Sequence, residues 1–189
     1  PLKYWENNVI GTIKLLKIMK KYNCNTIIFS SSATVYKANN DKLLKEDDIC
    51  EPVNPYGYTK LTIETILEDL YISEPSKWRI ASLRYFNPVG AHYSGLIGED
   101  PSGKPNNIYP QITKVAIGKL DEIKIFGSDW PTKDGTGIRD YIHVMDLAEG
   151  HFSALNYLSN ENPQYLILNL GTGRGTSVLE LIKTFQRVN

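Results

Sequence analysis

A tyrosine and a lysine four residues apart are the side chains here whose types and spacing could do chemistry. They are Tyr56 and Lys60, in Asn54-Pro55-Tyr56-Gly57-Tyr58-Thr59-Lys60. A free phenol titrates at about 10 and is a poor base at pH 7. A nearby ammonium favours the phenolate. Lowering that pKa by about 3 takes roughly 4 kcal/mol. One lysine supplies part of it, and a cationic cofactor ring would supply more. The product is a base able to take a proton from a sugar or alcohol hydroxyl. Taken alone, the spacing also fits a solvated pair on a helix surface.

The two side chains share a face only if the segment is helical. Pro55 suits the first helical position and Asn54 the N-cap. Ile63, Ile66, Leu67 and Leu70 then recur at helical spacing, which predicts a helix over 55–71. Upstream, Thr26-Ile27-Ile28-Phe29 reads as a buried strand ending in Ser30, Ser31 and Ser32. Ligand-binding residues lie outside the carboxyl ends of strands in open parallel sheets, although serine-rich turns also serve as caps and solvated loops. Trp5, Val9, Ile13, Leu16 and Met19 mark a helix over 2–22, weakened at Gly11.

The rest of the chain alternates in the same way. The polar stretch 41–54 is a loop. A strand is predicted over 79–86, ended by Asn87-Pro88, and a long loop over 92–107. A helix carries Ile108, Ile112, Val115 and Ala116. A short strand follows over 123–126, then a loop over 127–137 and a strand over 138–144. A helix capped by Asp146 runs over 146–158, and a strand over 165–170. A last helix has Ser177 as cap and Glu180 completing a capping box. This alternation implies a parallel α/β sheet.

Composition removes several function classes. Lys+Arg and Asp+Glu both number 21, so nothing points to a nucleic-acid partner. Cys24 and Cys50 show neither metal nor disulfide spacing, which fits a reducing, cytoplasmic compartment. No apolar run reaches the roughly 20 residues of a membrane span. The three histidines make no ligand set, and each reads as structural. Gly171-Thr172-Gly173-Arg174-Gly175-Thr176 resembles G-x-G-x-x-G, but Thr176 stands at the third glycine, so it reads as a structural turn. The chain starts in front of one helical pattern and stops inside another, and is expected to be a piece of a longer polypeptide.

Several motifs fall in order: Asn7-Asn8-Val9, Ser30-Ser31-Ser32-Ala33-Thr34-Val35-Tyr36, and Pro55 to Lys60. Arg84-Tyr85-Phe86-Asn87-Pro88-Val89-Gly90-Ala91-His92, Pro105-Asn106-Asn107 and Asp134 to Val144 complete the set. Together they resemble the UDP-glucose 4-epimerase family, within the extended short-chain dehydrogenase/reductase superfamily, over essentially all 189 residues. The resemblance implies a partial Rossmann-like doubly wound sheet plus part of a smaller α/β substrate region. Residues 1–86 would be the later half of an NAD-binding domain. Residues 87–189 would be a UDP-sugar region interleaved with returning Rossmann strands.

It also implies NAD as cofactor and interconversion of UDP-glucose and UDP-galactose through a 4-keto sugar. Tyr56 would be the base, Lys60 would hold the nicotinamide ribose, and Ser32 would bond the reacting hydroxyl. Asn7 and Phe86 match cofactor positions. Asn87, Asn107, Ile108, Lys124, Ile125, Phe126 and Arg139 match positions around the UDP-sugar. Arginine suits a diphosphate because its planar fork pairs phosphate oxygens bidentately. The family pattern further implies a homodimer through the 2–22 and 55–71 helices, with Trp5 and Ile66 as candidate contacts.

Lys37 departs from the pattern, standing where the family usually has glycine. The family's glycine-rich NAD loop would precede Pro1, and a further arginine, tyrosine and the residue governing N-acetylated sugars would follow Asn189. A 4,6-dehydratase on this scaffold needs an acid beside the serine, whereas Ala33-Thr34 follows Ser32. A nucleotide-sugar decarboxylase on the same scaffold is a rival to the epimerase. So is a non-catalytic NAD- or UDP-sugar-binding module, against which the intact Ser32, Tyr56 and Lys60 argue.

Overall fold

The computed structural model describes residues 1–37, 42–103, 105 and 107–189. Residues 41, 104 and 106, which fall within stretches read above, lie outside the described residues. The chain divides into two compact units. The first is Pro1–Phe86 with Ala148–Leu170, and the second is Asn87–Leu147 with Gly171–Asn189.

The first unit is a parallel sheet with helices on both faces. Strands β1 (Thr26–Ser30), β2 (Arg79–Tyr85) and β5 (Gln164–Leu170) lie in the order β1-β2-β5. Thr26 stands opposite Arg79, and Tyr85 opposite Leu170. Successive strand residues point to opposite faces, and the two cores follow from that. On one face Trp78 and Ile80 pack with Leu16, Met19, Ile63 and Leu67. These four come from α2 (Gly11–Lys21) and α3 (Pro55–Ser73). On the other face Ala81 and Leu83 pack with Ala154 and Leu158 of α5 (Val144–Asn160). The fold is Rossmann-like α/β. Strand β1 is only half-buried throughout, not fully buried as its apolar run suggested. Among the described residues its one sheet neighbour is β2, so it lies at an edge.

The helix predicted over 2–22 is less regular than its periodicity suggests. It begins as α1 (Leu2–Tyr4), passes through a π segment over Trp5–Ile10, and continues as α2. Thr12 Oγ1 donates to the Asn8 carbonyl at 2.6 Å inside this stretch. Insertion of a side-chain donor into the helical ladder is one of the usual causes of such a local irregularity.

The second unit holds β3 (Asn87–Val89), β4 (Ile138–His143) and β6 (Gly175–Ser177) in the order β3-β4-β6. β3 pairs parallel with β4, and β6 antiparallel. Asn87-Pro88 therefore opens a new short strand instead of only ending the previous one. The strand expected over 123–126 does not form: Lys124, Ile125 and Phe126 have irregular backbone, and Phe126 is 82% exposed. An apolar alternation becomes a strand only where a neighbour accepts its hydrogen bonds, and no ladder among the described residues reaches this run. Asp146 lies inside the first turn of α5, not at its cap, because the helix begins at Val144. Helix α4 (Ile108–Ala116) follows Asn107, and α6 (Val178–Val188) follows Ser177. Ser177 Oγ accepts from the Glu180 amide at 3.0 Å, as the capping box requires. No helix among the described residues is long and apolar enough to cross a membrane.

Candidate active site

In the first unit, two local structures bring Ser32, Tyr56 and Lys60 together. One is the turn after β1. Ser32 is extended, with φ −157° and ψ 145°, and caps a 3-10 turn over Ala33–Val35. Its Oγ accepts from the Thr34 amide at 3.2 Å and from Thr34 Oγ1 at 3.0 Å. The other is the start of α3. Asn54 Oδ1 accepts from the Gly57 amide at 2.9 Å, and Pro55 occupies the first turn. Gly57 lets the two meet. A Cβ there would stand 2.6 Å from the Thr34 carbonyl oxygen and 2.9 Å from Pro52 Cβ.

Lys60 Nζ donates to the Ser30 carbonyl at 2.7 Å. It also lies 5.0 Å from the centre of the Phe29 ring and 5.5 Å from that of Tyr56. Burial pushes the Lys60 pKa down. An ammonium has three donors. One reaches Ser30, and the remaining two suit hydroxyl oxygens such as those of a ribose. The Tyr56 ring meets Tyr4 edge-on, with centroids 5.9 Å apart.

The expectation that Lys60 brings the Tyr56 phenol down is not met by these groups. Burial is the largest influence and raises the Tyr56 pKa, and the neighbouring Tyr85 and Tyr4 phenols raise it further. A hydrogen bond from Ser32 works in the opposite direction without overcoming them. The physical reason is that the ammonium is drawn to the Ser30 carbonyl and lies over the ring, not against the phenol oxygen. With these groups alone the Tyr56 phenol stays protonated at neutral pH, hydrogen-bonded to Ser32.

Of the remaining first-unit candidates, Asn7 is exposed in the π segment. Phe86 is half-buried, with its amide bonded to the Leu170 carbonyl at 3.1 Å. The neighbour Asn8 makes a contact that sequence spacing does not show: its Nδ2 donates to Thr59 Oγ1 at 3.0 Å, tying the π segment to the Tyr56 helix. Ser30 stands out in the sequence only as part of the serine run. Its Oγ bonds His151 Nε2 at 2.9 Å, which bears out a satisfied histidine there.

In the second unit, Asn87 and Arg139 stand exposed on β3 and β4, and Asn107 precedes α4, where Ile108 is half-buried. Arg139 Nη1 donates to the Ile138 carbonyl at 2.7 Å. The glycine-rich turn after β5 carries no vacant anion cradle. Asp140 accepts from the Thr172 amide at 2.9 Å and the Gly173 amide at 2.8 Å, and from Thr172 Oγ1 at 2.7 Å. A carboxylate of the chain itself takes the place a phosphate would need, and a strand follows the turn. It is a structural turn.

A parallel sheet wound on both faces, with a serine turn at a strand's carboxyl end and Tyr56 and Lys60 one helical turn apart, defines a Rossmann-like protein with a Ser–Tyr–Lys constellation. Residues 1–171 match the NAD dependent epimerase/dehydratase family, and the chain belongs to it. It is 53% identical over 190 residues to the bifunctional UDP-glucose 4-epimerase and UDP-xylose 4-epimerase 3 of Arabidopsis thaliana, covering 100% of this chain and 54% of that protein. It is equally, 53%, identical to the UDP-glucose 4-epimerase of Bacillus subtilis (strain 168), covering 55% of it. Among solved structures, the UDP-glucose 4-epimerase from Bifidobacterium longum in complex with NAD+ and UDP superposes with a TM-score of 0.93 at 50% identity. That match covers 99% of this chain and 55% of the other. The chain thus spans about half the length of the curated relatives it matches.

Proposed function

We propose that the protein carrying this chain is an NAD-dependent epimerase that interconverts UDP-glucose and UDP-galactose through a 4-keto sugar. The observation that carries the reading is the convergence of Ser32, Tyr56 and Lys60, with Lys60 Nζ anchored 2.7 Å from the Ser30 carbonyl. Identity of 53% to named UDP-glucose 4-epimerases supports the substrate. Bound NAD supplies a reversible hydride acceptor for the sugar C4. Tyr56 would take the proton of the 4-hydroxyl as C4 becomes a ketone, and would return it to the oxygen once the ketone, turned over within the site, is reduced on its opposite face. Ser32 bonds that hydroxyl and orients it. Lys60 holds the nicotinamide ribose with its free donors. Asn7 and Phe86 complete the cofactor contacts. The first unit is thus the cofactor unit.

The second unit takes the UDP-sugar through Asn87, Asn107, Ile108, residues 124–126 and Arg139. The exposed guanidinium of Arg139 pairs the diphosphate. Cytoplasmic location fits the two free cysteines. A homodimer through the 2–22 and 55–71 helices, with Trp5 and Ile66 as contacts, is supported by a groove of about 310 Å³ lined by Ile13, Leu16 and Ile66 among others. Trp5, in the π segment, is exposed as well. A monomer in sedimentation at micromolar concentration would exclude the dimer.

Tyr56→Phe tests the chemistry. General acid–base catalysis contributes about 10²–10⁴-fold. Turnover should fall by that much while UDP binding, read by calorimetry, stays nearly intact. Turnover within tenfold of the unsubstituted protein would remove Tyr56 from the role.

A further inference from the structure

Two buried charges lie behind the serine turn, and the reaction proposed above gives neither a role. Glu64 on α3 and Arg84 on β2 each keep 4% of their side-chain surface exposed. Arg84 Nη2 donates to Glu64 Oε2 at 2.6 Å, and Arg84 Nε reaches Oε1 and Oε2 at 3.0 and 3.2 Å. A buried ion pair is weak evidence for stability, because removing two charges from water offsets their attraction. What apolar residues in the same space would not do is hold polar neighbours, and this pair holds several.

Glu64 Oε1 accepts from Ser31 Oγ. Arg84 Nη1 donates to Tyr36 OH at 3.0 Å and to the Glu46 carbonyl at 3.1 Å. Tyr36 OH donates onward to Asn169 Oδ1 at 2.6 Å. Ser31 and Tyr36 bracket Ser32 and its 3-10 turn. Glu64 is on the same helix as Tyr56, one turn beyond Lys60. The helix that carries Tyr56 and Lys60 therefore grips both ends of the segment that carries Ser32, directly at Ser31 and through Arg84 at Tyr36.

We propose that the Glu64–Arg84 pair is a positioning device for the reaction: it clamps Ser31 and Tyr36 so that the Ser32 hydroxyl is held against Tyr56. Neither residue touches the substrate. The pair acts through two hydrogen bonds whose lengths fix the turn relative to α3. Misplacement of a reacting group by about 1 Å can cost about 10²-fold in rate, so a clamp of this kind acts on kcat. This assignment rests on the epimerase reading for its catalytic consequence. The clamp itself does not depend on that reading.

The test is the double variant Glu64→Met/Arg84→Met in the protein carrying this chain. It removes both charges together, a change that is often neutral or stabilising. The KM for UDP-glucose should stay close to wild type, while the urea midpoint falls modestly, because Ser31 Oγ and the Glu46 carbonyl lose their partners. The kcat should fall by about tenfold to a hundredfold. Amide exchange of Val35 and Tyr36, which donate to the Ser32 and Ala33 carbonyls at 3.2 Å, should speed up. A folded double variant with wild-type kcat and unchanged exchange at Val35 and Tyr36 overturns the proposal. Should the double variant not fold, Ser31→Ala/Tyr36→Phe cuts the two links and leaves the ion pair in place. It should show the same kcat loss and faster exchange, and wild-type values there overturn the proposal equally. If the unsubstituted protein does not turn over UDP-glucose, the epimerase reading fails, and exchange at Val35 and Tyr36 alone decides the clamp.

Discussion

Gly57→Ala sets two effects of opposite sign against each other. Gly57 lies in the first turn of α3, where alanine is the better helix former by about 0.5–1 kcal/mol. On propensity alone the substitution stabilises. The new methyl, however, would stand 2.6 Å from the Thr34 carbonyl oxygen and 2.9 Å from Pro52 Cβ. Reaching an ordinary 3.4 Å contact requires a retreat of about 0.8 Å from the carbonyl and about 0.5 Å from the proline. Both obstacles are stiff: one is backbone, the other a ring. Forcing an extra methyl into such packing costs about 1–3 kcal/mol. The net expectation is a loss of about 1–2 kcal/mol. With a urea slope of about 2 kcal/mol/M, the midpoint should drop by roughly 0.5–1 M. The same retreat moves Tyr56, the preceding residue, away from the Ser32–Val35 turn. Turnover should fall by about tenfold or more, since about 1 Å can cost 10²-fold. Urea denaturation followed by circular dichroism reads the first effect and an epimerase assay the second. A midpoint equal to or above wild type would refute the reasoning, because propensity would have won and the close approach could not exist.

Asn54→Ala should cost about 1 kcal/mol, since it frees the Gly57 amide from Oδ1 at 2.9 Å, whereas Asn54→Asp should be nearly neutral; equal urea midpoints for all three proteins would deny the cap. Glu74, at the end of α3, has its carboxyl pulled down to about 2 by the Lys20 and then the Lys77 ammonium. Its folded pKa is depressed, so its stabilisation is present above the unfolded value of about 4.3 and is lost as pH falls toward 2. Thermal unfolding between pH 5 and pH 2 should be less acid-sensitive in Glu74→Gln, and parallel curves for the two proteins would mean that the ion pairs do not form.

What the sequence made legible is what is encoded within a few residues. Asn54, Pro55 and the apolar spacing that follows place α3 almost to the residue, and Ser177 with Glu180 places the start of α6. The alternation of strands and helices yields the parallel sheet of the first unit. The failures share a cause in long-range contacts. Residues 123–126 carry the alternation of a strand, but no neighbouring strand among the described residues comes to meet them. The glycine-rich turn after β5 is structural, as the displaced third glycine indicates, but the carboxylate that fills it, Asp140, lies 32 residues upstream of Thr172 and is not visible from local spacing. The spacing of Tyr56 and Lys60 puts both on one face, but only the fold brings the Ser30 carbonyl that draws the ammonium away from the phenol.

The Glu64–Arg84 pair is the instructive omission, because a signal for it was present in the sequence. Lys60, Ile63, Glu64 and Leu67 follow the 3–4 spacing of the buried stripe of α3, and Ile63, Glu64 and Leu67 are all buried. Arg84 ends the apolar run Ile80-Ala81-Ser82-Leu83 within β2. A carboxylate on an apolar stripe is costly to bury alone, and so is a guanidinium inside an apolar strand. Each therefore demands an opposite charge in the interior. With a net charge of zero and few charges inside apolar stretches, the two unmatched demands answer each other. The pairing follows from desolvation cost before any geometry is known. What the geometry adds is that the pair closes on Ser31 and Tyr36, the two residues that flank the Ser32 turn.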